Sequence, residues 1–139
     1  MMGETELAIK RMREGWSLED ILLQTQLPDL GKFLLKFIYK KDISIEALAG
    51  LADVNKSTVY RICENKMHPS SNVLIRLSRV LEMNIDDTQR LLKCGNLATL
   101  SGSRKRDVVI MNGIVNNKDI IDINNNLIEQ GFPDLFTNR

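Results

Sequence analysis

The stretch from Ser44 to Pro69, SIEALAGLADVNKSTVYRICENKMHP, restricts the possible folds of this chain more than any other. Leu48, Leu51 and Ala52 recur at helical spacing, and Val59 and Ile62 repeat the pattern after a gap. Ser44 and Asn55 stand just before the two runs, where a short polar side chain can accept from the first unpaired backbone N–H groups of a helix. Between the runs, Asp53-Val54 leave room only for a tight turn, with Val54 directed back into the core. Ala49 and Gly50 are small enough to let the second helix approach the first closely. Lys56, Ser57, Thr58 and Arg61 fall on the face that Val59 and Ile62 leave free, so that face is polar, basic and exposed.

The flanking sequence is helical as well. Residues 4–13 space Leu7, Ile9 and Met12 as one face, and Gly15 breaks the run. Ser17 is placed to cap a second helix with Glu19 and Asp20 in its first turn. Leu18, Ile21, Leu22 and Thr25 form its apolar side, and Pro28 ends it. Trp16, beside the bend, is expected to pack between these two helices. In GKFLLKFIYKKD, Leu34, Phe37 and Ile38 mark an amphipathic helix rimmed by Lys32, Lys36, Lys40 and Lys41. Downstream, Ser70 caps a helix that turns Val73, Leu74, Leu77, Val80 and Leu81 inward. Asn84, with Asp87 three residues on, opens another helix, which Gly95 stops. Residues 96–103 read as a loop, RKRDVVIMNGIV as a helix, and Asp119 as the cap of a last helix closed by Gly131 and Pro133. The β-branched DVVIM is the nearest approach to a strand, and its helical surroundings decide against it. The chain is all-α.

Several function classes are excluded by what is missing. No apolar run is long enough to span a bilayer, and the N-terminus lacks the basic start and apolar stretch of a signal peptide. The expectation is a cytoplasmic protein with no membrane partner. Cys63 and Cys94 have neither CxxC spacing nor histidine partners, so they read as buried free thiols rather than metal ligands. His68 is the only histidine and lies in a loop; no phosphate-cradling glycine loop and no triad spacing accompany it. No enzyme chemistry, metal or cofactor is implied. Net charge is only +1, but it is unevenly spread. Residues 1–31 carry three basic and six acidic groups, residues 32–82 nine and five, and residues 83–139 seven of each. The positive excess therefore lies on the segment that contains the two short helices.

Residues 31–87 resemble the phage-repressor-like helix-turn-helix family (Cro/CI, also called Xre-type). The likeness is carried by LAGLADVNKSTVYRICENKMHPS, in which apolar, small, capping and basic positions agree together. It implies a five-helix lambda-repressor-like domain over 31–95, with an N-terminal helical extension, 1–30, and a C-terminal helical hairpin, 96–139. It implies a sequence-specific DNA-binding transcriptional regulator, a repressor in family terms, whose second motif helix enters the major groove of double-stranded DNA. Asn55, Lys56, Ser57 and Arg61 would then face base edges, Arg61 being best shaped for a guanine. Ser44, Glu46, Thr58, Tyr60 and Lys66 would lie along phosphates, the first two through backbone N–H groups. Family members usually act as homodimers. Ile110, Ile114, Ile120, Ile121, Leu127 and Ile128 are expected either to form the dimer surface or to pack beneath the reading unit, the N-terminal pair being the alternative for pairing. Two departures stand out. Asp53 occupies a turn position where the family often has Gly, and Ile38 and Cys63 stand where it often buries an Arg–Glu pair, so these two are expected to touch. The alternative function is a protein-interaction module that keeps the fold, such as an antitoxin or an anti-defence inhibitor; the acidic first 31 residues favour it and Lys56, Arg61 and Lys66 oppose it.

Overall fold

The computed structural model describes residues 3–24 and 29–136, with only the backbone described at positions 23 and 24. It runs α1 (Glu4–Arg13), α2 (Leu18–Gln24), α3 (Leu30–Lys41), α4 (Ile45–Ala52), α5 (Lys56–Cys63), α6 (Ser71–Val80), α7 (Ile85–Cys94), α8 (Lys105–Val115) and α9 (Ile120–Glu129). There is no strand among the described residues. The expected end of α2 at Pro28, and Thr25 on its apolar side, lie outside them.

Capping chemistry sets most of the helix starts. The side chains of Ser17, Ser44, Ser70, Asn84 and Asp119 each accept from a backbone N–H three residues on, and Asn55 accepts from one two residues on. Each such bond satisfies a donor that the helix itself cannot. The start of α3 was not legible from its pattern. Asp29 caps Lys32 at 2.8 Å and also accepts from the side-chain amide of Asn65 at 3.1 Å. Asn65 in turn accepts from the N–H of Gly31 at 2.9 Å, so the residue that follows the α5 turn locks the first turn of α3. The bond from Lys32, and then that from Asn65, hold the Asp29 carboxyl below the usual carboxylate range. Gly31 is required by this approach, since a Cβ there would meet the Cys63 carbonyl oxygen at 2.2 Å.

One apolar cluster runs from Leu30 to Leu135 and ties both halves of the chain together. Leu34, Leu48, Val59, Ile62, Leu74 and Leu77 are fully buried in it, and each leucine or isoleucine contributes on the order of 2 kcal/mol. Ile38 is buried and Cys63 packs half-buried against the same cluster; neither carries a charge that would need a partner. Burial pushes the Cys63 and Cys94 thiols up, and both are free.

The helix at the centre is α6, which touches α4, α7 and α9. Asn72, Leu74, Ile75, Arg76, Leu77, Ser78 and Arg79 are all buried, so α6 is covered on nearly every side rather than along one stripe. Part of that cover comes from the C-terminal helices. Ile110, Ile114, Ile120 and Leu127 are buried, with α9 packed on α6 and α8 on α7, whereas Ile121 and Ile128 remain exposed. Arg79 reaches the Lys118 and Met83 carbonyls at 3.3 and 3.1 Å. Arg106 donates to the carbonyls of Pro133 and Asp134 and to the side chain of Asn72.

Five local expectations are corrected. Leu51 is 66% exposed: in so short a helix Leu48, Ala49 and Ala52 already fill the inward face. Trp16 is 40% exposed and lies under the Arg11 guanidinium at 5.1 Å, instead of packing as an anchor between α1 and α2. The predicted apolar face of α1 is not buried, because α1 has no buried residue and meets α7 through exposed ion pairs of Glu4 with Arg90 and Lys93. In α2 only Ile21 is buried, leaving Leu18 and Leu22 exposed. The turn after α7 is also made differently. Gly95 keeps a right-handed φ of −84°, and the left-handed residue is Asn96 at +57°. Gly95 instead serves close packing, since a Cβ there would come within 3.0 Å of Leu74.

Candidate nucleic-acid interface

The turn between α4 and α5 is built by Asp53, whose φ of 53° and ψ of 47° are left-handed. The N–H of Val54 returns to the Ala49 carbonyl at 2.9 Å, which is how a helix ends when its last residue turns left. Aspartate tolerates this conformation better than most side chains, so the turn survives without glycine. It still carries strain. Asp53→Gly is expected to raise stability by about 0.5–1 kcal/mol, measured as the shift in urea midpoint at unchanged slope.

Arg76, from the buried α6, fixes the same turn from below. Its Nε donates to the Ala52 carbonyl at 3.0 Å and one terminal nitrogen to the Asp53 carbonyl at 3.4 Å. The other terminal nitrogen donates to the Leu135 carbonyl, and the guanidinium lies 4.8 Å over the Phe136 ring. A cation among the last carbonyls of α4 also suits the negative end of that helix. Desolvation lowers the Arg76 pKa, while Asp53 and Asp134 oppose the shift.

The expected reading residues come together on α5. Lys56, Ser57 and Arg61 are exposed, while Val59 and Ile62 on the opposite side are fully buried. Asn55 is exposed too, but its side-chain oxygen is committed, accepting from the Ser57 N–H at 3.1 Å and the Ser57 hydroxyl at 2.9 Å. Asn55 therefore has its amide N–H groups to offer a ligand. Thr58 is half-buried. Lys66 is exposed beyond the turn and pairs with Glu64 at 2.9 Å; an ion pair so open to water is worth little and leaves the ammonium available.

At the start of α4, Ser44 and Glu46 each make a side-chain hydrogen bond. The Ser44 hydroxyl accepts from the Ala47 N–H at 3.0 Å, as a cap should. Glu46, exposed in the first turn of α4, carries a carboxylate there as well as a backbone N–H. The same carboxylate accepts from the Tyr60 hydroxyl at 2.6 Å, bridging α4 to α5. The Tyr60 bond first, then the backbone bond, with a smaller contribution from Lys56, holds the Glu46 carboxyl below its usual range. The pairing pushes the Tyr60 phenol up. Glu46 and Tyr60 are thus occupied with each other. Sequence reasoning missed this pair, as it missed Asn65 and Arg76, because the partners are distant along the chain and neither shows in a helical repeat.

No group of His, Cys, Asp and Glu among the described residues is arranged to hold a metal. No helix among them is long and apolar enough to cross a membrane. Residues 35–87, from α3 into the first turn of α7, match the family described as Helix-turn-helix. No curated protein and no solved structure matches the chain. The family is one of DNA-binding regulatory domains rather than of enzymes. With its capped α4, left-handed turn and exposed α5, the segment 35–87 is a helix-turn-helix domain of the Cro/CI, Xre-like type.

Proposed function

We propose that the protein is a sequence-specific transcriptional repressor, cytoplasmic and homodimeric, that acts by occupying an operator without cofactor or chemistry of its own. The observation that carries this reading is the exposed set Lys56, Ser57 and Arg61 on a helix whose angle is fixed by a capped, buttressed turn. Arg61 offers a rigid fork of donors that fits the O6 and N7 of guanine. Lys56, Ser57 and the Asn55 amide read neighbouring edges. Ser44, Thr58 and Lys66 lie beside the phosphates and set the register. Of the apolar residues on the C-terminal helices, Ile121 and Ile128 are exposed and so available for pairing two copies.

The test is selection of bound duplexes from a random pool, followed by salt titration of the winner. The expected result is one enriched sequence with two half-sites about one helical turn apart, bound less tightly as salt rises. Lys66→Ala should weaken binding about equally for all sequences and reduce the salt slope by about one. The second reading, a protein-interaction module, draws support from Glu46 and Glu64, whose carboxylates offset part of the positive charge around α5. A pool with no enriched sequence and an affinity indifferent to salt would decide for it.

A further inference from the structure

The bridge between Glu46 and Tyr60 sits where a DNA-binding unit of this kind would receive a phosphate. The start of α4 concentrates unpaired N–H groups and the positive end of the helix dipole, both of which attract an anion. Here the anion is already supplied by the protein. Glu46 lies in the first turn of α4, its carboxylate accepting from the Tyr60 hydroxyl at 2.6 Å. Both groups are on the exposed surface, and Lys56 is close enough to act on the carboxylate. A phosphate approaching between α4 and α5 would meet a negative charge held in place by the Tyr60 hydroxyl.

We infer that Glu46, held by Tyr60, is an internal competitor of DNA phosphate that lowers backbone affinity for every duplex and makes binding depend on the base contacts of α5. This rests on the DNA-binding reading above. The penalty is independent of sequence because phosphates are alike along the duplex. It leaves the ratio of affinities unchanged but lowers every occupancy, so that at a given protein concentration only duplexes that offer the contacts of Arg61 and Lys56 stay bound.

The test compares Glu46→Gln with the wild type on the selected duplex and on a random one. Glutamine keeps the size and an acceptor for Tyr60 but removes the charge. Affinity should rise about tenfold on both duplexes, with a salt dependence steeper by about one released ion. In Glu46→Gln/Tyr60→Phe the gain should persist, because it comes from the lost charge and not from the tyrosine hydroxyl. Three results overturn the inference: no change on the random duplex, weaker binding, or an altered preference at one base pair, which would make Glu46 a reading residue. If wild type and Glu46→Gln alike show no salt-dependent DNA affinity, the DNA-binding reading and this inference fall together; the other three results leave that reading intact.

Discussion

Replacing Arg76 by alanine is expected to lower the stability of the fold by about 3–5 kcal/mol, the largest effect of any single polar substitution considered for this chain. Arg76 is 8% exposed and has no carboxylate bonded to it; its hydrogen bonds go to backbone carbonyls of Ala52, Asp53 and Leu135. Alanine would leave these acceptors without the donor that satisfies them and open a cavity beneath the turn. A buried acceptor stripped of its partner costs on the order of 1–3 kcal/mol. Arg76→Met fills much of the cavity but restores no donor, so it should recover only part of the loss. Urea unfolding of the two variants separates the contributions. Equal stability of Arg76→Ala and wild type would show that the arginine is incidental to the turn.

Arg61→Ala is expected to leave the fold unchanged, since the side chain is exposed, and on the proposed function to remove about 1–3 kcal/mol from binding of the selected duplex, roughly five- to 150-fold. The loss should be much smaller on a random duplex, where no guanine is placed for the fork. Arg61→Lys should behave more like alanine than like arginine, because an ammonium cannot make the two parallel bonds. Repeating the duplex selection with the variant gives the sharper readout: preference should relax at one position of each half-site and persist elsewhere. A uniform weakening with no relaxed position would place Arg61 on phosphate instead of base.

The caps were the most legible part of this sequence. Ser17, Ser44, Asn55, Ser70, Asn84 and Asp119 all act where a short polar side chain before an apolar run suggests. Periodicity was legible where a helix has one buried side, as in Leu34, Phe37 and Ile38, and misleading where it has two. In α6 the stripe of Leu74 and Leu77 is real, yet Ile75 and Ser78 on another side are buried as deeply. Arg76 and Arg79 look like ordinary solvated charges in a local window. Their partners are carbonyls from 23 to 59 residues away for Arg76 and 39 for the more distant partner of Arg79, and no local repeat encodes such contacts. The exposed face of Lys56, Ser57 and Arg61 was foreseeable because capping, basic and apolar positions interlock within one short segment. The Glu46–Tyr60 bridge was not, since it depends on the crossing of α4 and α5 in space.

The bond from Arg76 to Leu135 also bears on how this chain acquires its shape. Its partners are 59 residues apart, so a large loop must close before the arginine has its full set of acceptors. Contacts of such span slow the final approach to the native state. During synthesis, α4 and α5 leave the ribosome long before Leu135 does. Until it arrives, the guanidinium under the turn lacks one acceptor and the outer side of α6 lacks its apolar cover. The turn between α4 and α5 is therefore without its full support in the nascent chain, and that support comes late, with a segment that lies far from α5 in sequence.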